Sequence, residues 1–167
     1  RSPNSGYKPG VALDYLKAQP GPYRIDIASS KWQPNYGLMH EIESINGLHN
    51  PMSLSHYDTY YWSVNYRGSP QYNFLNAKYL ITDKNTTEAD ATFVPIFNKD
   101  PEVDIYLNTN SLPRISLIYN TTIVTNNDDA FSLIHNNDFD PRFQAILVGG
   151  KSLNNTPPST HKINYVN

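Results

Sequence analysis

Apolar residues recur along this chain at two different periods, and each change of period marks an element. Over residues 11–18, Val11, Leu13 and Leu16, with Ala12 and Tyr15, have the spacing of a short amphipathic helix. Pro20-Gly21-Pro22 stops it, because proline has no amide to donate and its ring clashes with the preceding turn. In YRIDIA (23–28), Tyr23, Ile25 and Ile27 alternate with Arg24 and Asp26, the period of a half-buried strand. From 36 to 66 the pattern is less regular. YGLMHEIESI allows two helical turns, Gly47 and Pro51 interrupt it, and SLSHYDTYYWSVNY predicts a helix over 54–64. NFLNAKYLITD (73–83) opens helix-compatible and becomes a strand over 79–82. TFVPIFN (92–98) and EVDIYLN (102–108), parted by Lys99-Asp100-Pro101, predict a hairpin. After Pro113, RISLIYNTTIV predicts a strand over 114–124, or two joined at Asn120. An Asn or Asp at the head of NDDAFSLIHN can cap a helix over 128–136, with Ala130, Leu133 and Ile134 at helical spacing. QAILV (144–148) reads as a buried strand ended by Gly149-Gly150. LNNTPPST has a linker's composition, and HKINYVN has a strand's pattern.

Helices and strands therefore interleave without strict alternation, and one hairpin is present. That pattern predicts a mixed α/β fold, a central mixed β-sheet with helices packed on it, rather than a sandwich or a bundle. Residues 1–150 would form the main domain, and 151–167 a linker and the first strand of a β-rich segment that is cut short. The Arg-Ser-Pro start, without methionine, reads as a piece of a longer protein.

Composition narrows the partners. The formal charge is -2, with Lys and Arg scattered singly, so no basic stripe is available to a phosphate backbone and no nucleic-acid partner is expected. Thirteen tyrosines and thirteen prolines against 17% charged residues suggest an extracytoplasmic protein rather than a cytosolic enzyme. With no cysteine, thiolate zinc, a cysteine nucleophile and a disulfide scaffold are all excluded. No window approaches the roughly 18 apolar residues of a membrane-spanning helix, and no leader pattern precedes Arg1.

Few motifs carry chemistry. Asp138-Phe139-Asp140 could hold a divalent cation through its carboxylates. It could equally be a turn, since Asp140 precedes Pro141 and a strand begins three residues later. The turn is the favoured reading, because no phosphate-cradling glycine loop accompanies the pair. His40-Glu41 fails as a metalloprotease helix, which needs a second histidine at position 44, where this chain has Ser44. No metal, cofactor or catalytic residue is predicted, and an enzyme reading would have to rely on Glu41, Asp138 and Asp140. The aromatic block Tyr57, Tyr60, Tyr61, Trp62 and Tyr66 is the best candidate for recognition, because such rings offer an apolar face and a polar handle to sugars or lipid headgroups. Tyr57, Tyr60, Trp62 and His49 are the candidate ligand-binding residues. Core packing competes with that reading, since Tyr57, Tyr61 and Val64 would share one face of a helix.

In order along the chain come YRIDI, GLMHEIESINGLHNPMSL, FLNAKYLITD, VDIYLN closely followed by LPRISLIYN, then DDAFSLI and DFDPRFQAILV. This ordered set covers most of residues 23–148. It resembles the extracytoplasmic C-terminal region of the YfhO-like family, bacterial multi-pass membrane proteins related to C-type glycosyltransferases. The resemblance implies a domain on the extracytoplasmic face of the bacterial cell membrane, non-catalytic by itself, partnered by the transmembrane portion of its parent protein and by a glycan or lipid-linked sugar. Catalysis would lie on membrane loops elsewhere, and DFDPR would be a turn. The alternative is a secreted carbohydrate-binding module that uses the aromatic block.

Overall fold

The computed structural model describes residues 7–33, 35–47, 54–87 and 90–151. The chain divides into two compact units, Arg1–Ile115 and Ser116–Asn167. The fold is a mixture of helices and strands with a mixed four-stranded sheet, as the interleaved pattern predicts.

In the first unit, helix α1 (Val11–Lys17) precedes strand β1 (Arg24–Ile27). Short helices α2 (Tyr36–Met39), α3 (Ser55–Ser63) and α4 (Pro70–Phe74) then lead to β2 (Ala77–Asp83), β3 (Phe93–Phe97) and β4 (Val103–Asn108). The strand order is β1-β2-β4-β3. β1 and β2 run parallel, so the chain must cross back through α2, α3 and α4 between them. β4 lies antiparallel between β2 and β3, which contains the expected hairpin. The region read as two helical turns after Tyr36 makes only one, because Glu41 takes a left-handed φ of 62° and Ile42 N–H donates back to Gly37 O at 2.8 Å.

Alternation along the strands makes two apolar layers. On one face Ile25, Tyr79, Ile81, Val103 and Ile105 pack against Ala12, Leu13 and Leu16 of α1 and against Trp32, Tyr36 and Ile42. On the other, Ala77, Leu80 and Phe93 pack against Ile45, Tyr72 and Leu75, with Tyr60, Tyr61 and Val64 at the margin. β2 is thus covered on both sides, which its near-continuous run YLIT suits. The free edge of β1 is protected: Ile25 N–H donates to Glu43 O and Ile45 N–H donates to Ile25 O, both at 2.9 Å. Asp100, in the hairpin turn, accepts from Ala12 N–H at 3.2 Å and so caps α1 from across the sheet, while its other oxygen accepts from Glu102 N–H at 2.9 Å. Gly10 permits this approach, since a Cβ there would lie 3.2 Å from Asp100 Oδ2.

The second unit contains β5 (Asn120–Val124), α5 (Asn127–Ile134) and β6 (Gln144–Val148). Here the expectation of one central sheet is corrected. β5 and β6 pair with each other in parallel as a separate two-stranded sheet, a βαβ crossover, with five residues of each strand in register. The strand expected over 114–124 is regular only from Asn120, because only those residues find a ladder partner in β6. Asn126 caps α5 by accepting from Asp129 N–H at 2.8 Å, and Asp128 and Asp129 place negative charge in the first turn, where the helix dipole favours it. The expected linker and strand of HKINYVN lie outside the described residues.

Candidate ligand-binding surface

Helix α3 carries the aromatic block, and its rings divide between anchoring and exposure. Tyr60, Tyr61 and Val64 pack on the second apolar layer. Tyr60 OH donates to Gln71 O at 2.8 Å, and Tyr57 OH donates to Ile45 O at 2.5 Å. Burial raises the pKa of all three tyrosines, Tyr57, Tyr60 and Tyr61, so these hydroxyls stay protonated donors. Trp62 projects outward and is 76% exposed, with Leu54, Tyr66 and Phe74 also open to solvent. The rings contact one another in two sets. Tyr57 stacks on Tyr61 with centroids 6.2 Å apart, Tyr61 meets Trp62 edge-on at 5.1 Å, and Tyr60 meets Phe74 at 6.1 Å. Of the candidates named from sequence, Tyr57 and Tyr60 are thus anchors whose hydroxyls are taken up by backbone carbonyls, and Trp62 is the ring available to a ligand. His49 lies outside the described residues.

A buried polar hub behind α3 fixes its position. Asp26 on β1 is 3% exposed and accepts from Arg67 Nε at 2.7 Å and from Tyr72 OH at 2.8 Å. These donors come from the α3–α4 connection and from α4, so one carboxylate ties both to the sheet. Burial, reinforced by the Asp26 charge, pushes the Tyr72 hydroxyl far up, which keeps it a donor. Sequence reasoning missed this hub. Alternation with Ile25 and Ile27 marked Asp26 as the solvent side of a strand, but α3 and α4 cover that side. The available signal was Arg67 and Tyr72 flanking the turn Gly68-Ser69-Pro70, in which Ser69 caps α4 by accepting from Tyr72 N–H at 3.1 Å.

The other candidates have local roles. Asp140 is gripped by Arg142, whose Nε lies 3.0 Å from each carboxylate oxygen and whose Nη2 lies 2.6 Å from Oδ2. This bond holds the Asp140 pKa below its usual value, and Gln144 N–H donates to Asp140 O at 3.0 Å, closing the turn into β6. DFDPR is therefore a turn. His40 Nε2 lies 2.8 Å from Tyr7 O with its ring against Tyr36, so it belongs to the first apolar layer. Among the described residues, no three His, Cys, Asp or Glu side chains gather as metal ligands would. Comparison with protein-family models, curated proteins and solved structures finds no match to this chain.

Proposed function

We propose that this chain is a non-catalytic binding domain, the extracytoplasmic part of a YfhO-like, membrane-embedded glycosyltransferase-like protein. Its aromatic surface on α3 holds a glycan while the transmembrane portion of the parent protein does the chemistry. The observation that carries the binding role is the division of labour on α3: Tyr57 and Tyr60 are pinned by their hydroxyls, and Trp62 is left 76% exposed beside the edge of Tyr61. A rigidly backed, open indole suits the apolar face of a pyranose. The family assignment is supported by the ordered segments from YRIDI to DFDPRFQAILV. Among the described residues no helix is long and apolar enough to cross a membrane, and in this reading the spanning helices belong to the rest of the parent protein.

Tryptophan fluorescence on the full chain tests the binding role, because the sequence has two tryptophans and they differ in environment. Trp32 is 7% exposed and stacked on Tyr36, so collisional quenching by acrylamide reports mainly Trp62. A glycan found on an array of bacterial envelope sugars should protect Trp62 from quenching, and Trp62→Ala should abolish its binding while the fold is kept. No glycan bound by the folded chain would sink the reading. The same exposed indole favours a second reading, a secreted carbohydrate-binding module. The full-length gene separates the two: many apolar spans before Arg1 support the first, and a signal peptide alone supports the second.

A further inference from the structure

From Leu54 to Tyr66 the only formally charged residue is Asp58, and it lies one helical turn before Trp62 on α3. Residues four apart on a helix are neighbours on its surface. No hydrogen bond or ion pair within the described residues takes up the carboxylate of Asp58, a residue of intermediate exposure. The next cation along the chain, Arg67, is committed to Asp26. The exposed Trp62 therefore has, one helical turn away, a carboxylate that forms no ion pair within the described residues. An indole face attracts cations through its quadrupole, and tryptophan does so most strongly of the aromatic side chains. A carboxylate beside it adds Coulombic attraction for a cation and repels uronic acids, sialic acids and phosphorylated glycans.

We propose that Trp62 and Asp58 form a subsite for an amino sugar with a free, protonated amine, the ring lying on the indole and the ammonium reaching the carboxylate. The assignment rests on the glycan-binding reading above and narrows it to one charge class. Both contacts are at the protein surface, so the selectivity is modest, roughly three- to five-fold for the charged amine over its neutral amide.

The test titrates the full chain by isothermal calorimetry, which needs no tryptophan reporter, with a β-1,4-linked glucosamine tetramer and with its fully N-acetylated counterpart in mildly acidic buffer, and reads protection of Trp62 from quenching alongside wherever Trp62 is present. The proposal expects the glucosamine tetramer to bind more tightly, the advantage to shrink as salt is added, and Asp58→Asn to erase it while retaining weak binding of both. Trp62→Ala should lose both ligands, with circular dichroism confirming that each variant is folded. Equal affinity for the two tetramers, or an advantage that survives Asp58→Asn, overturns the subsite but leaves glycan binding standing. Phosphocholine competing as well as the glucosamine tetramer overturns the sugar assignment in favour of a headgroup cation. Binding of neither tetramer overturns the subsite, and if the envelope-glycan array is also blank the glycan reading falls with it.

Discussion

Replacing Tyr72 by phenylalanine isolates the hub that holds α3 and α4 on the sheet. The ring should stay where it is, since it is 3% exposed and packs edge-on to Phe93 with centroids 6.1 Å apart. The change thus creates almost no cavity and removes one hydroxyl, whose bond to Asp26 is 2.8 Å long. A hydrogen bond to a charged group contributes about 1.5–3 kcal/mol. Asp26 is nearly inaccessible, so water cannot easily take the place of the lost donor, but the carboxylate keeps Arg67 at 2.7 Å. These considerations place the loss near 2 kcal/mol, a fall in Tm of roughly 6–12 °C for a unit of this size. Intrinsic tryptophan fluorescence reads the right unit, because Trp32 and Trp62 both lie in Arg1–Ile115. In urea, the midpoint should fall with little change of slope. Pairing Tyr72→Phe with Asp26→Asn should then show a coupling of at least about 1 kcal/mol, as expected for groups in direct contact. A loss under about 0.5 kcal/mol, or additive effects, would refute the argument by showing that the carboxylate is solvated in solution.

Three further outcomes follow from the geometry. Asp100→Ala should cost about 2 kcal/mol in a denaturant melt, since it uncaps α1 at Ala12 and leaves the buried amide of Val103 without its 3.3 Å partner; Asp100→Asn, which keeps an acceptor oxygen, should cost less. Gly37→Ala should destabilise by about 1–3 kcal/mol despite alanine's better helix propensity, because the new Cβ would sit 2.7 Å from the backbone oxygen of Ile42; an unchanged Tm would show that this turn can shift. Hydrogen bonding from Arg114, then from Arg24, holds the Glu43 pKa below its ordinary 4.5. The stabilisation from this group is therefore complete above that value and lost as pH falls through the lower folded value. Glu43 is 55% exposed, so the effect should stay under about 1 kcal/mol. Glu43→Gln should flatten the acid limb of a Tm-against-pH curve below pH 4.5, and an identical limb in the variant would show that the ion pairs are broken in solution.

The sequence by itself determined the elements whose signals are local. α1 ends near Pro20 because proline cannot continue a helix, the β3–β4 hairpin turns at Lys99-Asp100-Pro101, and β6 covers QAILV before two glycines at positive φ, although its residues are half-buried or exposed rather than buried as expected. DFDPR was legible as a turn for the same reason: its bonds, from Asp140 to Arg142 and Gln144, close within four residues. Other features depended on which surfaces meet, and periodicity does not contain that information. An alternating strand looks the same whether its polar side faces water or a second layer of helices, so Asp26 could be recognised as a buried hub only once α4 was in place with Tyr72 and Arg67 aimed at it. β-branched character in RISLIYNTTIV marks strand propensity but names no partner, so only the ladder with β6 decided that five of those residues are strand and belong to a separate sheet. The aromatic block shows the same limit. Its composition promised a surface or a core, and tertiary packing made it both, because carbonyls of Ile45 and Gln71 lie within reach of Tyr57 and Tyr60 while Trp62 is left open to solvent.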